Sequence, residues 1–322
     1  MRKILFAILA VFILTLFVYG IKLRVLDKQF NIVSPVPSFL SVLNNNQVST
    51  LDLWRPVVES LFAPTAPQVT AKAVLVYDLT ANKTLYSKEP LTKLPMASLT
   101  KIMTATIAIE NKKADDRYLV KAEDLVGEES MGLTEGEVLT LNELLYGLML
   151  SSGNDAAEVL ARNYLPAGKA GPAGRKEFIS AMNNKAMALG LENTNFTNPS
   201  GLEGDGDQYT TTQDLLVMTT YALQNEEFAE VVKTFRHDIP HTFEHKAFYL
   251  ENSTNLISSY PGVKGVKIGY TPEAGHCIVT YLEYKGHELI GIILGSDNRR
   301  QEMKELLDYS LKSQGITPPP HE

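Results

Sequence analysis

β-rich stretches stand at both ends of the globular part of this chain, with a long helix-patterned block between them, and that order restricts the fold more than any other feature. Residues 73–77 are a run of Ala, Val, Leu and Tyr, Asn82 marks a turn, and 84–86 read as a hairpin partner. Far downstream, 263–271, 277–284 and 288–294 are again β-rich, separated by Glu273-Ala274-Gly275 and Lys285-Gly286. Between these ends a helix starts near Ser98, with Ile102, Ala105 and Ile109 at helical spacing. Thr140 and Glu143 form a capping box that opens a second helix through Leu150. Further helices are expected over 155–164, over 176–189 ending at Gly190 in a left-handed cap, and over 212–223. The stretch 166–174 reads as a Pro/Gly-rich surface loop, and a last helix covers 300–312. The economical architecture is α+β: one antiparallel sheet built from both chain ends, with a helical subdomain inserted.

The remaining sequence sets the context. A chain of 322 residues with 44% hydrophobic and 21% charged side chains can bury a substantial core. Its net charge of −7 argues against a nucleic-acid partner, which needs a clustered basic face. Cys277 is the sole cysteine, so neither an intrachain disulfide nor a cysteine zinc site is available. Arg2 and Lys3 precede an uncharged run, 4–21, closed by Lys22 and Arg24. At about 1.5 Å per residue that run nearly matches a bilayer core of about 30 Å. Two readings stand: an uncleaved membrane anchor, which is favoured, and a secretory signal cleaved near Gly20. Both place the rest of the chain outside the cytoplasm. Residues 22–69, with Pro35, Pro37, Pro56, Pro64 and Pro67, read as a spacer, 70–313 as the globular domain and 314–322 as a tail.

Three motifs carry chemistry. Residues three apart on a helix share a face, so Ser98-Leu99-Thr100-Lys101 puts the Lys101 amine beside the Ser98 hydroxyl. A serine hydroxyl needs an adjacent base, and a lysine serves only if desolvation or a neighbouring cation lowers its pKa. Alone, such a pair arises by chance in many helices. Ser152-Gly153-Asn154 lies at a helix-to-helix junction, where a loop aims a hydroxyl and an amide into a cleft; singly, a turn with an N-cap explains it as well. Lys267-Ile268-Gly269 lies on an expected strand, where a Gly marks close approach of another backbone or a ligand, and Lys267 supplies charge for a substrate carboxylate. Singly, it is a solvent-facing lysine.

In order and spacing the three match the S-x-x-K, S-D-N and K-T-G set of penicillin-binding proteins and β-lactamases. Over residues 70–313 the chain resembles the D-alanyl-D-alanine carboxypeptidase family, the low-molecular-mass penicillin-binding proteins, in which S-G-N replaces S-D-N. Supporting flanks are Pro95-Met96-Ala97, Leu150-Ser151, Asp155-Ala156, Asn198-Pro199-Ser200-Gly201-Leu202 and Tyr270-Thr271-Pro272-Glu273-Ala274-Gly275.

The resemblance implies that Ser98 attacks the carbonyl between two terminal D-alanines of a peptidoglycan stem peptide while Lys101 takes its proton. Ser152 would relay that proton to the leaving amine. Asn154 would hold the substrate amide, and Lys267 would lower the Lys101 pKa and draw in the terminal carboxylate. The N–H groups of Ser98 and Tyr270 would form the oxyanion hole, beside Gly269 and Thr271. No metal or organic cofactor is needed, and β-lactams are expected as covalent inhibitors. Many relatives carry a further C-terminal domain, for which 314–322 leave no room, so the N-terminal run would tether the enzyme to the cell membrane.

One position departs from the pattern: Ile268 stands where the family has Thr, whose hydroxyl is expected to bond the substrate carboxylate. Reduced carboxypeptidase turnover is the expectation if Ile268 faces the cleft. Two other functions compete: a β-lactamase, for which the only suitably spaced Glu and Asn are Glu251 and Asn255, and a wall-binding module with a decaying motif. His237, His241 and His245 sit four apart but straddle Pro240 and lack a completing carboxylate, so they read as packing or surface residues. Glu128 and Glu129 read as a solvated face.

Overall fold

The strand-rich ends of the chain meet in one sheet. The computed structural model describes residues 64–113, 115–166 and 169–321. The apolar run 4–21 and the spacer up to residue 63 lie outside the described residues. In chain order the elements are β1 (Ala73–Asp78), β2 (Lys83–Lys88), α1 (Lys101–Glu110), β3 (Tyr118–Leu119), β4 (Val138–Leu139), α2 (Leu141–Met149), α3 (Asn154–Arg162), α4 (Pro172–Ala188), α5 (Thr212–Leu223), α6 (Glu226–Lys233), β5 (Arg236–Ile239), β6 (Phe248–Glu251), α7 (Leu256–Ser259), β7 (Val263–Thr271), β8 (Gly275–Tyr284), β9 (His287–Ser296) and α8 (Arg299–Ser313). The main sheet runs β2-β1-β9-β8-β7. Every pairing in it is antiparallel, and β1 lies against β9 with Ala73 opposite Leu294. This is the expected α+β architecture: both ends of the domain share a sheet, and the helices are inserted between.

Alternation along the strands explains the two layers. Cys277, Val279, Ile290 and Ile292 face the helical block, where Leu99, Ile102, Met103, Leu144 and Leu148 complete one buried cluster. Val74, Val76, Ile278, Leu289 and Ile293 point the other way and are covered by Met303, Leu306, Leu307 and Leu311 of α8. Successive side chains of a strand alternate between faces, so one strand feeds both clusters. Each fully buried aliphatic side chain contributes about 1.5–3 kcal/mol.

The local signals hold where they were strongest. Thr140 Oγ1 accepts from Glu143 N, and Glu143 Oε2 accepts from Thr140 N at 2.8 Å, closing the capping box of α2. Gly190 takes φ +73° after α4. The expected loop 166–174 is shorter than read: α4 already begins at Pro172, a residue whose missing N–H is no loss in the first turn of a helix. Ser98 sits in a 3-10 turn, Ala97–Thr100, that runs into α1 rather than in the helix itself. The helix α6 and the β5–β6 hairpin were not anticipated. Among the described residues no helix is long and apolar enough to cross a membrane.

Candidate active site

Ser98 lies where three pieces of chain converge: its own turn, the start of α3 and the edge strand β7. The Lys101 side chain is 0% exposed. Its Nζ stands 2.9 Å from Ser98 Oγ, 2.8 Å from Asn154 Oδ1 and 2.7 Å from the Ser200 carbonyl. Burial, and then the charge of Lys267, hold the Lys101 amine well below the usual lysine range. A neutral amine has two N–H donors and one lone pair. Asn154 Oδ1 and Ser200 O only accept, so they take the two N–H groups and leave the lone pair for the Ser98 hydroxyl proton. The geometry therefore gives Lys101 the arrangement that a base for Ser98 requires.

Each contact is fixed by its own scaffold. The Ser200 carbonyl belongs to a tight turn in which Asn198 Oδ1 accepts from Gly201 N at 2.7 Å. Thr104 Oγ1 of α1 donates to Pro199 O at 2.6 Å, and Gln208 Nε2 to Thr100 Oγ1 at 3.0 Å. Next to Asn154 in the chain, the buried Asp155 carboxylate ties the start of α3 to the segment 130–133, accepting from Ser130 Oγ at 2.5 Å and from the amides of Met131, Gly132 and Leu133 at 3.0, 3.2 and 3.0 Å. Asn154 N itself donates to Glu129 O at 2.7 Å.

Ser152 is 6% exposed, and its hydroxyl makes no hydrogen bond among the described residues. Its backbone is left-handed, at φ +59°, as is that of Ala97, at φ +47°. Such conformations cost of order 1–3 kcal/mol in a non-glycine residue and cluster at functional sites.

The strand β7 forms the third wall. Lys267 is 0% exposed and donates to Ile268 O at 3.1 Å. Burial, and then the Arg299 guanidinium, lower its pKa to about 7. At Gly269 an added methyl would lie 2.9 Å from Ser98 N, so the strand backbone rests directly on the Ser98 turn. That contact brings the N–H of Ser98 beside the backbone that leads into Tyr270. Tyr270 is 57% exposed, with its ring 4.7 Å from that of His276. Thr271 Oγ1 accepts from Ala274 N at 3.1 Å, inside the β7–β8 turn.

Four features escaped the sequence reading. The Ser200 carbonyl is invisible to any side-chain pattern, although its segment was noted. Arg299, at the start of α8, donates from Nη1 to Gly269 O at 3.0 Å and stands 2.9 Å from His276 Nδ1. The Arg299 guanidinium can only donate, so His276 Nδ1 accepts, and burial and then Arg299 lower the His276 pKa. Glu129 is exposed as expected, yet its charge acts on both Lys101 and Lys267.

Ile268 requires a correction. Its side chain packs against the α8 cluster, on the opposite face of β7 from Lys267 and Gly269, because adjacent strand residues alternate. It is half-buried in apolar company and does not add bulk beside Lys101. The histidines also separate: His237 stacks on Tyr146 at 3.6 Å, whereas His245 contacts Glu143 at 3.2 Å. Glu251 is exposed on β6, and Asn255 precedes α7.

Comparison with known proteins agrees with this arrangement. The sequence profile described as D-alanyl-D-alanine carboxypeptidase, a serine peptidase family, matches residues 60–298. The chain is 33% identical over 252 residues to the D-alanyl-D-alanine carboxypeptidase DacF of Bacillus subtilis, covering 74% of this chain and 62% of that protein. It is 33% identical over 261 residues to a D-alanyl-D-alanine carboxypeptidase of Streptomyces, covering 77% of this chain and 89% of that one. The crystal structure of a Streptomyces DD-transpeptidase superposes with a TM-score of 0.71 at 32% identity, over 77% of this chain and 99% of that one. Its mixed helix and antiparallel-sheet fold is the one described above. The buried lysine beside Ser98 and the profile match over most of the domain lead to one conclusion: the chain belongs to the D-alanyl-D-alanine carboxypeptidase family of penicillin-binding serine peptidases.

Proposed function

We propose that the chain is a serine-type D-alanyl-D-alanine carboxypeptidase that trims peptidoglycan stem peptides through an acyl-enzyme on Ser98. The observation that carries this reading is the Lys101 amine, buried and matched by acceptors that leave its lone pair to Ser98 Oγ. Lys101 takes the hydroxyl proton as Ser98 Oγ attacks the carbonyl of the penultimate D-alanine. The N–H groups of Ser98 and Tyr270 stabilise the oxyanion, a contribution of about 2.7–4 kcal/mol for a single donor in comparable sites. Ser152 passes the proton to the departing amine, the terminal D-alanine leaves, and water, deprotonated by Lys101, releases the shortened peptide.

Charge orients the substrate. The terminal carboxylate is drawn to the positive charge of Lys267, in the middle of β7, and of Arg299, beside Gly269 O. The peptide then extends antiparallel along the open edge of that strand, past Tyr270 and Thr271, in the manner of an added strand. Asn154 Nδ2 gives one N–H to Gly127 O at 3.4 Å and offers its second to the substrate amide carbonyl. β-Lactams enter the same reaction and stay as slow-leaving acyl groups. The run 4–21 tethers the enzyme to the cell membrane with the catalytic domain outside the cytoplasm, so the full chain should remain in the membrane pellet after a high-salt wash; recovery in the supernatant would refute the tether.

Labelled penicillin followed by peptide mapping tests the core of the proposal. A covalent label on Ser98, together with release of free D-alanine from a D-Ala-D-Ala peptide, is expected. Failure of penicillin to acylate Ser98 would favour a non-enzymatic wall-binding role, and fast turnover of nitrocefin would favour a β-lactamase.

A further inference from the structure

A trans peptide group is rigid: its C=O and the next residue's N–H lie in one plane and point opposite ways. The Gly269 carbonyl and the Tyr270 N–H belong to one such group. Whatever fixes Gly269 O therefore also aims the N–H that is to meet the oxyanion. Arg299 fixes it. Its Nη1 donates to Gly269 O at 3.0 Å and stands 2.9 Å from His276 Nδ1. Nη1 of a guanidinium carries two N–H groups and accepts nothing, so one goes to the strand carbonyl and one to the imidazole. Two bonds from one nitrogen set both the place and the tilt of the guanidinium.

Register puts His276 in reach. It stands directly opposite Tyr270 in the β7–β8 ladder, with the two rings 4.7 Å apart. Its partner on β9 is Ser296, the last residue of that strand, and the chain then passes through Asp297 into α8, which opens with Arg299. The groups facing the ring are thus Tyr270 from β7 and Asp297 and Arg299 from the start of α8. The imidazole keeps its bond to Arg299 only while Nδ1 carries no proton. Once protonated, two cations face each other and the bond is lost.

We propose that His276 and Arg299 are positioning residues for the oxyanion hole: the imidazole holds the guanidinium, and the guanidinium holds the 269–270 peptide so that Tyr270 N–H stays aimed at the developing oxyanion. The inference rests on the acyl-enzyme step of the carboxypeptidase reading and adds a link from α8 to the reacting atoms. The cation also polarises the carbonyl it touches, which strengthens the N–H of the same peptide as a donor. A donor that acts on the transition state shows in kcat rather than in substrate binding.

The test follows the rate at which labelled penicillin acylates Ser98, a step that uses the oxyanion hole whether or not D-alanine is released. His276→Phe keeps a ring against Tyr270 and removes the acceptor. It should lower that rate by about tenfold, part of the roughly 10²–10³-fold lost with a whole oxyanion donor. His276→Asn places an amide oxygen near the position of Nδ1 and should come within about threefold of the parent. That oxygen does not titrate, so the ratio of His276→Asn to parent should climb as pH falls below the usual histidine value of 6.5; the Lys101 limb is common to both proteins and cancels. On a D-Ala-D-Ala peptide the loss in His276→Phe should fall on kcat, with KM within about twofold. Equal acylation rates for His276→Phe and parent would overturn the inference, as would a loss that His276→Asn does not restore. A loss confined to KM would also overturn it and leave Arg299 with the substrate carboxylate alone. If circular dichroism shows His276→Phe unfolded, the pH ratio decides, and a ratio flat down to about pH 4 refutes the role of the imidazole. Acylation without D-alanine release would sink the carboxypeptidase reading and spare this one; no acylation of the parent would sink both.

Discussion

The two faces of β7 are built from neighbouring residues and do opposite things. On the inner face Lys267 brings a fully buried charge and Gly269 brings bare backbone against Ser98 N. On the outer face Ile268 joins an apolar cluster with Tyr260, Leu282 and the buried side of α8. Period-two alternation is enough to separate them. A change on the inner face reaches the reacting atoms within one contact, whereas a change on the outer face must act through packing. The three letters of the motif therefore do not carry equal weight, and the departure at Ile268 falls on the face remote from the Lys101 amine.

The largest effects should come from Ser98 and Lys101, the nucleophile and base proposed above. Ser98→Ala should abolish penicillin labelling, and Lys101→Met should lower kcat/KM for a D-Ala-D-Ala peptide by at least about 10⁴-fold, as for other residues that act as a catalytic unit. Circular dichroism should show both variants folded. If Lys101→Met keeps penicillin acylation within about tenfold of the parent, the proton goes elsewhere and the assignment of the inner face fails.

Next in size is the backbone contact. Gly269→Ala places a methyl 2.9 Å from Ser98 N and 3.1 Å from Ala97 Cβ, so the strand or the turn must move. A displacement of that order costs about 10²-fold in rate when it reaches a reacting group. Ile268→Ala is its counterpart on the other face. It should lower the unfolding free energy by about 1–3 kcal/mol, less than a fully buried isoleucine at the upper end, and change kcat/KM by less than about threefold. Thermal melts and D-alanine release on the same two proteins decide the matter: equal activity loss in both would erase the distinction between the faces.

How far the sequence alone reaches follows the same division. The sheet was legible because strands buried on both faces leave long apolar runs at 73–77 and 288–294, and the helix at Thr140 was legible because its cap is written in side chains. The Ser98, Lys101, Asn154 and Lys267 constellation was legible through its order along the chain. The β5–β6 hairpin was not, because Arg236, His237 and Asp238 look like loop, and only pairing with 248–251 makes them a strand. The helix α6 had a signal that went unread: Asn225 accepts from Phe228 N at 3.1 Å as an N-cap, and Phe228, Val231 and Val232 form its buried stripe. Arg299 and the Ser200 carbonyl reach the site from distant segments, through a helix terminus and a backbone atom, and no local pattern announces either.

A smaller effect separates the roles of the two buried lysines. Lys267 titrates at about 7, so its positive charge is lost as pH rises through neutrality. Substrate attraction then weakens, and kcat/KM should fall by up to about tenfold per pH unit on the alkaline side, chiefly through KM. The stability change has the opposite sign. Between about 7 and the usual lysine value of 10.5 the unfolded chain binds a proton that the folded chain does not, so stability rises with pH across that window. Below it the buried charge is a standing cost. Lys267→Arg, which stays charged, should lose the alkaline limb even if its rate is lower. A limb that stays at the same pH in Lys267→Arg would assign it to another group.

The smallest expected change is the one that most directly tests the two faces. Ile268→Thr restores the family's usual residue. If Ile268 belongs to the outer face, the hydroxyl arrives in a half-buried apolar setting beside the α8 cluster and away from Lys101 Nζ. Exchanging hydrocarbon for a hydroxyl there should cost about 1 kcal/mol or somewhat more of stability and alter kcat/KM by less than about threefold. The measurement is a pair of melts and a pair of D-alanine release rates at one pH below 7, where Lys267 is charged. A rise of tenfold or more would mean that the hydroxyl reaches over the open edge of β7 to the substrate carboxylate. Half-burial on an edge strand would then count for more than the direction of the Cβ, and Ile268 would limit turnover.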